Sequence, residues 1–479
     1  MWVWSLIACL AAFAPSLANG FWQPGIPDAV EQSQWESLFD DEVVDQIDGS
    51  QMVRPQVEPG QLVKNFDALV IGTRRNAMEA LMSRLDQALH FKVEDVAREC
   101  RLSEPQKAKL VLAGRGDIKG LVDRIYRERK SFESADAVEP NLAAGRNLMS
   151  VARSLQESVN TGPFGDGSIF ARVLGRDFTS KQFAAYMILE EVQRLGGRIS
   201  TSLRGGVEFK EVIVAAGLTD EHLSRLAKLP NLLSLTAEMS RVSNEGLVRL
   251  AGLTSLEVLD LSRTQIGDAG LAHLRGLKNL NVVRLRNTAV GDGGLAHLAE
   301  LTNLRELQIQ GTLISDEGLA HLKGLSQLEV LNLGRTRITD AGLVALNLPG
   351  LFHLKELSLS QTKLTGAGLA LVAQCDNLER LVLIGTQTTD SVLRSLRQLK
   401  NLRHLLIDQT QITDDGLEEL AGLSRLESLE VSNTPIGDVG LFSLRMLANL
   451  KYVNVANTHV TDDGVSEFQR VLPDAVVHK

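Results

Sequence analysis

The fold is specified most clearly by LEVLDLSRTQIGDAGLAHLRGL, residues 256–277. Leu259 and Leu261 are two residues apart, so both side chains point to one face of a short strand. Leu271, Leu274 and Leu277 recur at helical spacing, which predicts a following helix with one buried face. A single strand and helix of this length cannot enclose a hydrophobic core. The stretch therefore requires neighbours built in the same way.

The same pattern recurs along the second half of the chain with a period of 24 residues. Further copies begin at Leu280, Leu304 and Leu328 and, after a two-residue insertion, at Leu354, Leu378, Leu402, Leu426 and Leu450. A fainter copy begins at Leu232, and a degenerate one covers residues 211–229. Stacked strand-and-helix units of this period predict an α/β solenoid with a parallel β-sheet on one side and helices on the other.

Two polar columns accompany the leucines. A threonine follows each strand, as at Thr264, and we expect its hydroxyl to bond to the backbone of the turn. An aspartate stands where each helix begins, as at Asp268, and we expect it to act as the N-cap of that helix. Both columns are explained by folding, so these carboxylates are not candidates for catalysis.

The repeat resembles that of bacterial leucine-rich repeat proteins of the Thr-x-Ile-Thr-Asp-x-Gly-Leu type over residues 207–472. The resemblance implies an arc whose concave sheet binds other macromolecules without performing chemistry. The cysteine-containing repeats of ubiquitin-ligase substrate receptors share Thr-Asp-x-Gly-Leu. Only the unit with Cys375 shows their cysteine, and the other units depart from that pattern. A receptor of that kind is the alternative if the N-terminal segment is not a signal.

The N-terminal half predicts three segments that precede a repeat domain at residues 197–479. Residues 1–18 are uncharged and end in Ser16-Leu17-Ala18, which is typical of a secretory signal. A retained membrane anchor and, through Cys9, a lipoprotein processing site are the alternatives. Residues 19–60 form an acidic, mobile lead-in. Residues 61–196 form an all-α domain, and the protein is expected in the secreted or periplasmic space of the cell envelope.

Sequence signals mark individual helices within residues 61–196. Residues 77–89 show an amphipathic stripe. Ser103 with Gln106 and Thr179 with Gln182 have capping-box spacing, so each pair predicts a helix start. The tripeptide at residues 115–117 is Arg-Gly-Asp, which is a short adhesion motif. We interpret Gly114 and Gly116 instead as a turn between two helices.

The composition limits the classes of partner. A net charge of −9 disfavours nucleic acid. His273, His297 and His321 recur 24 residues apart, but neighbouring helices lie about 8 to 10 Å apart, so we expect no shared metal ion. No cofactor is expected. No nucleophile elbow, zinc-ligand spacing or phosphate loop occurs. An enzyme with a site in the helical domain or at the domain junction is retained as the alternative function.

The candidate binding residues lie where the repeat leaves side chains free, on the outward face of the strands. The middle outward column reads Thr236, Asp260, Arg284, Gln308, Asn332, Ser358, Val382, Leu406, Glu430 and Asn454. Val382, Leu406 and nearby Ile384 are apolar, and Arg380, His404 and Asp408 surround them, as in an interface core with a polar rim. We call these six residues the candidate patch and predict that it binds a protein or a glycan. The alternative is that irregular units bury these side chains. Arg284 and Arg286 form a second candidate site, for an anionic partner.

Overall fold

The computed structural model describes residues 61–72, 76–136, 142–165, 167–214 and 216–479. The predicted signal at 1–18 and the lead-in at 19–60 lie outside these residues. The chain divides into two compact units, one ending at Phe183 and the other running from Ala184 to Lys479.

The first unit is built from helices. Five lie wholly within it and a sixth begins there: α1 (Gln61–Val70), α2 (Ala77–Cys100), α3 (Glu104–Asp136), α4 (Leu142–Thr161), α5 (Ile169–Asp177) and α6 (Ser180–Arg194). On α2, Leu81, Leu85 and Leu89 are buried, which confirms the stripe predicted for residues 77–89. No helix in the described part of the chain is long and apolar enough to span a membrane.

Both predicted helix starts are present, at α3 and α6. The backbone N–H groups of Ser103 and Thr179 each donate to the glutamine three residues on, at 3.0 Å. The two glutamines also meet, because Gln106 Nε2 donates to Gln182 Oε1 at 3.3 Å. The capping boxes therefore link the starts of the two helices as well as capping the N-terminus of each helix.

The predicted turn at Gly114 and Gly116 is wrong, because α3 continues without interruption through both residues. A Cβ at Gly114 would lie 2.1 Å from Leu89 Cδ1, so glycine here permits close approach of α2 and α3. The carboxylate of Asp117 accepts from the backbone N–H groups of Ile169 and Phe170, each at 2.8 Å. Asp117 therefore caps the N-terminus of α5, and this structural role explains the aspartate without an adhesive function.

The second unit contains one sheet of thirteen strands arranged in chain order. The first two strands are antiparallel and all later neighbours are parallel. The strands are β1 (Arg198–Arg204), β2 (Val207–Ile213), β3 (Leu232–Thr236), β4 (Val258–Asp260), β5 (Val282–Arg284), β6 (Glu306–Gln308), β7 (Val330–Asn332), β8 (Glu356–Ser358), β9 (Arg380–Val382), β10 (His404–Leu406), β11 (Ser428–Glu430), β12 (Tyr452–Asn454) and β13 (Val476–His478).

Short helices return the chain from one strand to the next. They are α7 (Asp220–Leu226), α8 (Asn244–Leu247), α9 (Asp268–Leu271), α10 (Asp292–Leu298), α11 (Asp316–Leu319), α12 (Asp340–Leu346), α13 (Gly366–Ala370), α14 (Asp390–Leu396), α15 (Asp414–Glu418), α16 (Asp438–Ser443) and α17 (Asp462–Val471). Turns of 3₁₀-helix occupy Val248–Leu250, Ala272–Leu274, Ala320–Leu322, Leu348–Gly350, Leu371–Gln374, Glu419–Gly422 and Leu444–Met446. The all-α region followed by an α/β solenoid confirms the predicted fold class.

The repeated leucines form one continuous core between the sheet and the helices. Leu259, Leu261 and Leu271 are fully buried, and their counterparts along the array are buried apart from the half-buried Val465 of the last unit. Ile188 and Val192 on α6 belong to the same core. The C-terminal part of α6 therefore packs with the second unit, which begins at Ala184.

The threonine column has the predicted role. The Thr264 hydroxyl donates to the Leu261 carbonyl at 2.6 Å, and the other eight do the same to the carbonyl three residues earlier, at 2.6 to 2.7 Å. These are Thr288, Thr312, Thr336, Thr362, Thr386, Thr410, Thr434 and Thr458. Each bond satisfies a carbonyl at the end of a strand.

The aspartate column does not cap its own helices, which corrects the prediction. Each aspartate is the first helical residue, and the N-cap is the residue before it, as Thr339 is for Asp340. The carboxylate instead accepts a backbone N–H of the next unit. Asp316 accepts from the N–H and hydroxyl of Thr339, at 2.7 and 2.6 Å. The column therefore joins successive units.

The aspartate column is interrupted where Gly366 has no carboxylate for Thr389. The Thr389 hydroxyl there lies 3.0 Å from the Ser391 hydroxyl. At the other junctions a glycine packs against the aspartate, and a Cβ at Gly342 would lie 2.4 Å from Asp316 Oδ1. At the interruption Val392 takes the glycine position and is buried, since no carboxylate occupies that space.

Candidate functional site

The outward side chains of the sheet form columns that run across the strands. Val382, Leu406 and Glu430 are direct neighbours on β9, β10 and β11. The pairing continues through the whole middle column from Thr236 to Asn454, so the predicted register is confirmed. We call the outward side of β3–β12 the sheet face.

The candidate patch is partly exposed and partly buried. Arg380, Val382, Ile384 and His404 are half-buried. Leu406, by contrast, is only 7% exposed. Strands lie about 4.8 Å apart, so Val382 and Glu430 on the flanking strands cover it. The expectation that Leu406 offers an open apolar surface is therefore corrected.

Asp408 is also enclosed, with 6% of its surface exposed. Its Oδ1 accepts from the backbone N–H of Ser432 at 2.9 Å and from the Ser432 hydroxyl at 2.5 Å. These two bonds account for burial of the carboxylate. Asp408 thus holds the backbone that follows β11. This burial disfavours the predicted role of Asp408 in an exposed polar rim.

The positive charges of the second candidate site, Arg284 and Arg286, are compensated by nearby carboxylates. Arg284 Nε lies 2.7 Å from Glu306 Oε1. Arg286 Nη2 lies 3.6 Å from Glu238 Oε1 and 4.0 Å from Asp260 Oδ2. An anionic partner would have to displace these carboxylates. The geometry therefore weakens the interpretation of the two arginines as an anion site.

Unpaired charges on the sheet face gather around the candidate patch. In the part of the chain that the structure describes, Arg380, Glu356 and Glu430 make no ion pair within 4.0 Å. Arg284 and Glu306, by contrast, pair with each other. One half of the sheet face therefore carries paired charges and the other half carries unpaired ones. Charged groups beside half-buried apolar side chains are a typical composition for a binding surface.

Glu430 is the residue that sequence reasoning missed. In the sequence Glu430 is one more polar member of the middle column. Its position two strands from Val382 is the feature that could have marked it as a candidate binding residue. Burial raises the pKa of Glu430, the charge of Asp408 raises it further, and Arg380 opposes both. No hydrogen bond contributes to this balance. Among the residues that the structure describes, the carboxylate has no donor.

We expect Glu430→Gln to raise the melting temperature at neutral pH. The folded pKa lies above the unfolded value of about 4.3, so ionisation favours the unfolded chain and stability falls as pH rises through the folded pKa. Glutamine removes this dependence, and the gain should vanish below roughly pH 4. Thermal unfolding followed by circular dichroism from acidic to neutral pH measures it. Glu306→Gln is the matched control and should lower stability, because Glu306 accepts from Arg284 and Gln308. A neutral-pH loss in Glu430→Gln would contradict the burial argument.

Groups with other chemistry have structural explanations. His222 Nδ1 lies 2.8 Å from the Thr219 hydroxyl, and His222 Nε2 lies 3.3 Å from Glu191 Oε1. This sequence of hydroxyl, imidazole and carboxylate resembles a hydrolase triad. The Thr219 backbone N–H also donates to Nδ1 at 3.0 Å, so this nitrogen is already engaged in a capping box. Arg225 Nη1 donates to Glu191 at 2.7 Å. The cluster caps α7.

The repeated histidines and Cys375 give no sign of a reactive site. His273 and His297 are half-buried, whereas His321 is exposed. Burial lowers the pKa of His297, and the charge of Arg275 lowers it further. Burial raises the pKa of the Cys375 thiol to about 12, which disfavours a reactive thiolate. Within the described ranges, no group of three or more His, Cys, Asp or Glu side chains could hold a metal ion.

Five segments of the chain match the family model described as Leucine Rich repeat: residues 252–274, 325–346, 398–421, 424–444 and 447–468. These repeats are therefore leucine-rich repeats. No curated protein matches the chain in sequence.

Solved structures resemble parts of the chain. An internalin of Listeria monocytogenes is 21% identical with a TM-score of 0.40, over 56% of this chain and 86% of that one. A leucine-rich repeat protein of Leptospira interrogans is 20% identical with a TM-score of 0.40, over 53% and 68%. An internalin C2 of Listeria monocytogenes is 28% identical with a TM-score of 0.35, over 43% and 82%.

Proposed function

We propose that this protein is an exported interaction scaffold that binds a protein partner on the sheet face of its leucine-rich repeats and performs no catalysis. The observation that carries the proposal is the concentration of unpaired charges, Arg380, Glu356 and Glu430, around half-buried Val382 and Ile384. Elsewhere on the sheet face Arg284 and Arg286 are compensated by carboxylates. A protein is favoured over a glycan because aliphatic side chains form the centre of the patch.

Export is the second part of the proposal. It rests on the uncharged residues 1–18 and their Ser16-Leu17-Ala18 ending. The partner is accordingly a protein of the cell envelope or the exterior.

The test is capture of a partner by the immobilised full chain and by Val382→Glu. A charge in an apolar interface core should lower capture at least about tenfold, which corresponds to about 1.4 kcal/mol. Val344→Glu is the matched control, since Val344 is 67% exposed on α12 and lies on the helix side. Envelope and cytosolic fractions of the native cells are applied separately, and bound proteins are quantified by mass spectrometry.

The outcomes separate the two parts of the proposal. A protein from the envelope fraction that binds wild type and Val344→Glu, but not folded Val382→Glu, supports both. Equal capture by Val382→Glu contradicts binding at the sheet face. A Val382-dependent protein found in the cytosolic fraction alone contradicts export.

A further inference from the structure

We infer that the partner presents a lysine or arginine side chain to Glu430, with the aliphatic stem of that side chain lying along Val382. This inference rests on the proposed function and adds the chemistry of the contact. It comes from a carboxylate of the middle column that is half-buried and, among the described residues, has no donor.

The carboxylates of the sheet face differ in how they are satisfied. Glu306 accepts from Arg284 Nε and from Gln308 Nε2, each at 2.7 Å. Asp408 accepts twice from Ser432. Glu430 is half-buried, and in the described part of the chain no hydrogen bond or ion pair reaches its carboxylate. A partly desolvated carboxylate without a donor is unfavourable. A partner that supplies a donor relieves this.

The sign of the local charge selects a cation. Glu430 is the cross-strand neighbour of Leu406, and Asp408 follows Leu406 by two residues, whereas Glu356 and Arg380 are register partners in the row of His404. Asp408 is enclosed and already accepts from Ser432, so Glu430 is the carboxylate that this part of the face offers to a partner. An anionic group would be repelled here, whereas an ammonium or guanidinium group would form charge-assisted hydrogen bonds with Glu430.

The apolar neighbours explain why the cation belongs to a side chain. Leu406 is the cross-strand neighbour of both Glu430 and Val382. Lysine and arginine carry methylene stems that pack on apolar surface while the charged end stays near water or a carboxylate. The backbone of Arg380 lies two strands from that of Glu430, about 10 Å at ordinary strand spacing, and its guanidinium forms no ion pair within 4.0 Å with the Glu430 carboxylate. Its position leaves Glu430 open to a second cation.

The test compares two substitutions in the full chain, one that removes a negative charge and one that removes a positive charge. We expect Glu430→Gln to lower capture of the Val382-dependent envelope protein about tenfold, because one charge-assisted contact is lost. Arg380→Gln should raise capture about threefold, because a competing cation is removed. Glu317→Gln, an exposed change in the first turn of α11, is the control and should leave capture unchanged.

The outcomes distinguish this inference from the proposed function. Capture lost in Val382→Glu but equal in Glu430→Gln and wild type overturns the cationic contact and leaves the scaffold intact. Capture that rises in Glu430→Gln and falls in Arg380→Gln identifies an anionic partner and also overturns the inference. If no protein shows Val382-dependent capture, the proposed function fails and the inference fails with it.

Discussion

Gly366→Asp should destabilise the solenoid by about 2 kcal/mol or more, and adding Val392→Gly should restore most of that loss. A Cβ at Gly366 would lie 3.6 Å from Val392 Cγ2, in ordinary van der Waals contact, so the carboxylate beyond that Cβ would press on a buried valine. With glycine at residue 392, the aspartate can instead accept from the Thr389 backbone N–H, as Asp316 does from Thr339.

Val392→Gly alone should also destabilise, by about 2 to 3 kcal/mol, since it leaves a cavity and places glycine in a helix. Chemical denaturation of the four proteins of this cycle gives the coupling energy, which we expect to be at least about 3 kcal/mol in favour of the double variant. Additive effects would show that the two exchanges are unrelated. The reverse pair at the preceding junction, Asp340→Gly with Gly368→Val, is the matched control.

Asp414→Ala should destabilise the protein by about 1.5 to 3 kcal/mol, whereas Asp415→Ala should change stability by less than about 0.5 kcal/mol. Asp414 Oδ1 accepts the Gly437 backbone N–H of the next unit at 2.7 Å, and alanine leaves that N–H without an acceptor. Asp415 is exposed in the same helical turn. The two residues thus have the same charge and the same proximity to the helix N-terminus.

The measurement is denaturation of both variants, with hydrogen exchange of the Gly437 amide as a local readout. Exchange at Gly437 should accelerate in Asp414→Ala and stay unchanged in Asp415→Ala. Equal losses of stability in the two variants would mean that the carboxylates act through the helix dipole. The role assigned to the aspartate column as a link between units would then be wrong.

The sequence was sufficient for the solenoid, for the register of the sheet and for the threonine column. In a solenoid each residue meets its counterpart one unit away, so the period converts chain position into spatial position. That is why the 24-residue spacing alone places Val382, Leu406 and Glu430 side by side. The two-residue insertion before Leu354 did not disturb this, because Leu348–Gly350 absorbs it on the helix side.

The role of the aspartates could not be read from spacing. A carboxylate at the start of a helix is equally compatible with capping its own helix or bonding to the next unit. The choice depends on which residue is the N-cap, and here it is the preceding one, such as Thr339. Asp340 is therefore free to bond to Thr365 of the next unit.

The repeat pattern was enough to identify the residues that share the sheet face and to place the candidate patch on it. Three-dimensional packing was needed to establish that Leu406 and Asp408 are enclosed, that Arg284 pairs with Glu306, and that Glu430 has no donor among the described residues. The difference arises because periodicity specifies the direction of a side chain. Exposure and pairing depend instead on the size and conformation of neighbours that are one repeat away in the chain and about 4.8 Å away in space.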